Sequence, residues 1–286
     1  MRPVVEAVGA VGAGVDPARA PTVPIRPMRL RELLDEPFAL IQAHIRALAA
    51  LGGVAVAAAL TVVLAVTGLV SHLTDGSDAG TAWAAVLSSA VCLWVLRLVL
   101  RGTTVAIGLA DVNGVGYGAL AGLRTAAAHA GPLFVAQIMF TLTGIGVLLV
   151  GSILIITYPL ALVWLAQVRA RRIVVAPVII GESAKSGAAV ARSKELTQGA
   201  EWTTAGLWLL QRLIFAVLAV PAFGIPYFLS TFSGTHRWAF IGLLVGGVLL
   251  MVAISEIVEA GSRVVCYVDR RCAREGMDIL VPGDRR

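Results

Sequence analysis

Hydrophobic and polar positions along the chain fall into long blocks rather than short alternations. Apolar runs of about 20 residues recur six times, at 47–70, 81–101, 132–151, 153–172, 202–223 and 238–259. At 1.5 Å rise per residue, a helix of about that length crosses a hydrocarbon core of roughly 30 Å. The short alternating segments of a transmembrane β-barrel are not visible. The pattern predicts an all-α polytopic membrane protein, with six transmembrane helices paired as three hairpins. Ser71, His72, Thr74, Asp75, Gly76, Ser77 and Asp78 mark the first hairpin turn, and an apolar loop is expected from Gly224 to Arg237. The turn near Gly151 and Ser152 carries no charge, so the pattern leaves its position open by several residues.

A more polar segment precedes each hairpin. In 30–48, Leu33, Leu34, Phe38, Leu40, Ile41, Ile45 and Leu48 recur at helical spacing, while Arg31, Glu32, Asp35, Glu36, Gln42 and Arg46 fill the other face. That spacing predicts an amphipathic helix lying at the membrane interface, bent or restarted at Pro37. A second such helix is expected over 119–130, with Arg124 and His129, and a third carries Lys185, Arg192 and Lys194 before Gly199. The segments 101–111 and 172–182 each run from Arg through mostly apolar or small residues to an acid, Asp111 or Glu182. The chain therefore suggests an internal repeat: three copies of an interfacial helix followed by a hairpin.

Charge adds orientation. With six spans, 22 of the 23 Lys and Arg residues fall on one side, only Arg237 lying opposite, and this places both termini in the cytoplasm of a bacterial plasma membrane. Residues 1–25 are expected to be a flexible cytoplasmic arm, because Glu6 and Asp16 interrupt what resembles a signal peptide. The membrane domain would occupy 26–278 and a basic tail 279–286. The chain is 58% hydrophobic and 14% charged, with a mean hydropathy of +0.87, which lies outside the range of soluble domains. Its net charge of +6 sits at span ends, so the bilayer and its anionic headgroups are the expected partners and nucleic acid is not. The Arg, Ala, Val and Gly bias suggests a GC-rich genome, such as that of an actinobacterium.

Residues with chemistry are sparse. Gly181 to Ser186 lacks the spacing of a phosphate loop, and the four histidines lie on different segments. Cys92, Cys266 and Cys272 have neither metal-ligand nor disulfide-framework spacing and are read as reduced structural residues. No catalytic grouping, cofactor or metal site is expected. Two sets of residues remain as candidates. Arg169, Arg171, Arg172, Arg192, Lys194 and Glu195 would form a cytoplasmic face for docking or lipid headgroups. Gln211 and Arg212 lie deeper in a span than orientation requires and would form an intramembrane polar site. Glu259 and Arg263, one helical turn apart, are expected to pair, and Arg97, Arg101 and Glu256 to snorkel or pair across helices.

Three stretches carry a resemblance. Arg26, Pro27, Met28, Arg29, Leu30, Arg31, Glu32, Leu33, Leu34 and Asp35 open it. Val174, Ala176, Pro177, Val178, Ile179, Glu182, and Arg192 through Gly199 form its centre. Tyr267, Val268, Asp269, Arg270, Arg271, Arg274, Glu275, Gly276 and Asp278 close it. In order, these resemble actinobacterial multi-pass proteins related to the membrane domain of glycerophosphoryl diester phosphodiesterases, with Glu36, Pro37 and Arg212 departing from the pattern. The resemblance implies a six-helix membrane domain without the catalytic barrel, and hence no phosphodiesterase activity. The leading expectation is a non-enzymatic scaffold or accessory subunit of an envelope complex, with protein partners on its cytoplasmic face. The alternative is a transporter or lipid-handling protein, which requires a polar cavity within the helices.

Overall fold

A computed structural model describes residues 22–153, 157–233 and 237–277. Their regular secondary structure is all helix, with no strand among the described residues. The helices are α1 (Leu30–Ala43), α2 (Ile45–Leu73), α3 (Asp78–Val112), α4 (Ala119–Ala128), α5 (Ala130–Gly151), α6 (Tyr158–Ala170), α7 (Val175–Gly181), α8 (Ser186–Thr197), α9 (Glu201–Ser233) and α10 (Arg237–Glu275). Among the described residues five helices are long and apolar enough to cross a membrane: α2, α3, α5, α9 and α10. Their outward residues are apolar, among them Val54, Leu69, Val91, Leu149, Val220 and Leu243. With no polar outer face, such helices suit a lipid surround.

Several boundaries differ from those the pattern suggests. The fourth run yields only the 13-residue α6, about 20 Å long, so it does not count as a span on length. Helix α3 does not stop near Arg101 but continues to Val112, taking in the apolar run 105–110. Helix α9 continues through Ser233 where a loop is expected, and α10 continues to Glu275. Pro37 lies inside an unbroken α1, and the chain restarts at His44 instead. Of the expected arm, residues 1–21 lie outside the described residues, as does the tail 279–286. Thr22 and Val23 are not free: Thr22 donates its backbone N–H and its hydroxyl to Asp111, and Val23 is fully buried.

The extra length of α3 and α10 has a clear cause. Every residue from Leu100 to Val112 and from Val258 to Asp269 is buried, and so is Ile173 to Ile180 around α7. These stretches carry Arg101, Asp111, Glu259, Arg263 and Asp269 among their apolar residues, and ionisable groups of that kind are covered by protein instead of lipid. These segments form the main core together with Leu33 and Leu40 of α1, Leu133 of α5, Ala189 and Leu196 of α8, and Leu207 of α9. Gly108 permits the closest approach, since a Cβ there would lie 3.0 Å from both Leu40 and Val264 side-chain carbons. Two smaller cores flank this centre. One joins α2, α3 and α10 through Val63, Leu96, Leu100, Val245 and Leu249; the other joins α5, α6 and α9 through Val147, Leu165, Ala166 and Trp208.

An acid ends each buried segment and holds a neighbouring element. Asp111 holds Thr22 and lies 3.6 Å from Nε2 of His44, Glu182 accepts a hydrogen bond from the Tyr267 hydroxyl, and Asp269 accepts one from the Met28 backbone N–H. At the entry to α1, Arg26 donates to both carboxylate oxygens of Glu32, and the Arg29 backbone N–H donates to the same group. The bonds from Arg26, then that from the Arg29 backbone, hold the Glu32 carboxyl below the usual carboxylate range.

Candidate functional site

Four helices bring charged side chains to one place at the junction of the three cores. Arg97 and Arg101 come from α3, Arg169 from α6, Arg212 from α9, and Glu256, Glu259 and Arg263 from α10; α5 adds Gln137 and Phe140. Arg101 is 6% exposed and donates from Nε to Glu256 Oε1 at 2.6 Å, with a second bond from Nη1 to the Gln137 amide oxygen. Arg97 Nε lies 3.8 Å from the other Glu256 oxygen. On the next turn of α10, Glu259 accepts from Arg263 at 2.5 Å and from Arg212. The one-turn spacing of Glu259 and Arg263 thus produces the expected local pair.

Aromatic rings take up part of the remaining positive charge. The Phe140 ring has the guanidiniums of Arg169, Arg263 and Arg101 at 5.4, 5.7 and 6.0 Å from its centroid. Trp208 faces Arg212 at 5.3 Å and Arg169 at 5.9 Å. Stacking of this kind is favourable but does not neutralise a charge. Five guanidiniums here face two carboxylates, an excess of three positive charges among the described residues. Neither the Arg97 nor the Arg169 side chain hydrogen-bonds to a described residue, and Nε and Nη1 of Arg263 are buried without a partner among them.

A cavity of about 360 Å³ opens beside this cluster, between α3, α5 and α6. Its lining changes character in the same direction on all three helices. Along α3 it runs from Arg101 and Arg97 to Trp94, Leu93 and Ala90; along α5 from Gln137 and Phe140 through Thr141 and Gly144 to Ile145 and Leu148; along α6 from Arg169 to Leu165. The spacings of three and four residues put each set on one helix face. Trp94 crosses the gap by donating its indole N–H to Thr141 Oγ1 at 3.0 Å and meets Phe134 edge-on. The cationic end is closed by buried Arg101, Gln137 and Phe140, whereas Ala90 and Ile145 at the other end are exposed on the apolar outer surface.

The residues singled out from the sequence are divided among several places. Arg169 lines the cavity and Arg172 donates to Thr143 Oγ1 on α5. Arg171 stays largely exposed, 3.9 Å from Glu201. Arg192 is held among Glu182, Glu195 and Glu275, while Lys194 projects into the open. These six therefore do not make one free surface. Arg212 is tied to Glu259, and Gln211 donates to Ser262 Oγ. Arg212 belongs to the charge cluster but does not line the cavity. Arg97 and Arg101, read from sequence as orientation residues, do. A second arginine one helical turn inside the first was the available signal.

Among the described residues no group of three or more His, Cys, Asp or Glu side chains is placed to hold a metal ion. The three cysteines are free thiols. What the arrangement offers chemically is a concentrated field of fixed hydrogen-bond donors with an apolar extension. No protein-family profile, curated protein or solved structure is significantly similar to the chain.

Proposed function

We propose that the protein is a non-enzymatic bacterial plasma-membrane protein that binds and handles an anionic amphiphile in the cavity between α3, α5 and α6. The single observation carrying this reading is the lining itself: Arg97, Arg101 and Arg169 at one end, and apolar residues at the end open to the lipid-facing surface. The buried Arg101 and Arg263 are balanced by Glu256 and Glu259, so the excess falls on the half-buried Arg97, Arg169 and Arg212. Partly desolvated positive charge is costly unless an anion accompanies it, and a bilayer supplies anions attached to apolar chains. In this proposal α6 serves as a sixth crossing. Both termini are then cytoplasmic, and the arginines lie near the cytoplasmic headgroup level. Kinship to the membrane domain of glycerophosphoryl diester phosphodiesterases, and an actinobacterial origin, belong to the same proposal and specify no ligand.

The scaffold reading ranks second. Three of its six proposed docking residues, Arg169, Arg172 and Arg192, are turned to contacts within the chain. Purification in mild detergent followed by native mass spectrometry of the intact protein tests the choice. The proposal expects an anionic amphiphile retained at about one per chain. Recovery of a protein partner with no bound amphiphile would sink it.

A further inference from the structure

We infer that the cavity takes a lipid whose headgroup is a phosphate monoester, the phosphate lying among Arg97, Arg101 and Arg169 and the acyl chain running past Trp94 and Ile145. This rests on the lipid-handling reading and names its ligand class. Charge selects the headgroup. The cluster carries an excess of three positive charges. A carboxylate offsets one of them; a phosphate monoester brings between about 1.5 and 2 negative charges near neutral pH.

Geometry selects it again. Guanidinium groups bind phosphate oxygens through paired N–H donors, and several forks converging from different helices suit a tetrahedral group with three free oxygens. Arg97 and Arg169 bring such forks from α3 and α6 with no hydrogen-bond partner among the described residues. Arg101 supplies a third guanidinium whose orientation is already set by Glu256 and Gln137. The cavity's 360 Å³ falls at the small end of the range for ligand pockets, which suits a compact headgroup and the start of a chain better than a sugar-bearing lipid. The remainder of the chain would leave past exposed Ile145 into the bilayer.

Equilibrium binding to the detergent-purified full chain tests this, with dioleoyl phosphatidic acid, oleate, dioleoyl phosphatidylcholine and inorganic phosphate as separate probes. Phosphatidic acid should bind one per chain, more tightly than the other three. Arg169→Gln should weaken it roughly tenfold or more through the loss of a charge-assisted pair, and Lys194→Gln should leave it unchanged. Arg97→Gln gives the same readout should Arg169→Gln fail to fold. Ile145→Trp, which fills the apolar end, should weaken phosphatidic acid but not inorganic phosphate. Oleate binding as tightly as phosphatidic acid would overturn the phosphate assignment while sparing the lipid-handling reading. Inorganic phosphate binding as tightly would show a free-anion site and overturn the lipid part. Failure to bind any amphiphile would overturn both.

Discussion

Arg101 of α3 and Glu256 of α10 meet at 2.6 Å, with only 8% and 2% of their side chains exposed. They join helices whose lower halves form one apolar core and whose upper halves form another. Burying both ions is costly, and their attraction offsets the cost only while both are present. Glu256→Gln is therefore expected to destabilise the protein by about 3–5 kcal/mol, since it leaves Arg101 buried without a counter-ion. Thermal unfolding in detergent would show this as a large fall in the melting temperature.

Arg169 should behave in the opposite way. Its guanidinium rests on the Phe140 and Trp208 rings and has no hydrogen bond to a described residue. Removing a like charge from a cluster already in positive excess relieves repulsion. Arg169→Gln is expected to leave the melting temperature of lipid-free protein unchanged or raised. A fall comparable with that of Glu256→Gln would show that Arg169 has a structural role instead.

Asp111 fixes the segment that leads into α1. Its carboxylate accepts two bonds from Thr22, and the neighbouring Val23 is fully buried. Asp111→Ala should release this segment and expose the bond between Arg29 and Leu30 to trypsin, the Arg26–Pro27 bond being resistant to that protease. Limited proteolysis followed by mass spectrometry should show cleavage there many times faster than in the parent protein. Equal rates would mean that buried Val23 and the Met28–Asp269 hydrogen bond suffice to hold the segment.

The Arg26–Glu32 pair gives a sign for pH. Glu32 has a folded pKa below its unfolded value, so its contribution is present above the unfolded carboxylate pKa and is lost as pH falls through the folded one. The pair is solvent-exposed, so the effect is local and screened by salt. Amide exchange at Arg29 to Leu33, corrected for intrinsic rates, should accelerate on acidification below the ordinary carboxylate range. Glu32→Gln should abolish that dependence.

Gly108 sets how closely α1, α3 and α10 pack. A Cβ would already lie 3.0 Å from Leu40 and Val264, so a larger side chain has no space. Gly108→Leu is expected to cost about 1–3 kcal/mol or more by overpacking. Fluorescence-detected size exclusion would register it as loss of the monodisperse peak.

The long apolar runs made the helices legible from sequence, because length and continuity are local properties. Their ends were less legible. The polar residues around Arg101 suggest that a span stops, yet they sit on the stretch Leu100–Val112 of α3, which α1, α4, α7 and α10 cover. Likewise Asp111 looks like the end of a segment, and its partner Thr22 lies 89 residues away. Glu259 and Arg263 were legible as a pair since one helical turn brings them together. The cavity was not, since it needs α3, α5 and α6 placed side by side. Arg169 illustrates the difference: its position at the end of an apolar run is that of an orientation residue, and the packing of α6 against α5 and α9 turns it inward.

The account stands on whether the cavity between α3, α5 and α6 holds an anionic amphiphile. A cryo-electron microscopy map of the protein in native-lipid nanodiscs tests that directly. The expected result is elongated density with its bulky end within hydrogen-bond distance of Arg101 and Arg169 and its tail passing Trp94 and Ile145. A cavity closed by Phe140, Trp94 and Leu165, or filled by solvent alone, would contradict it.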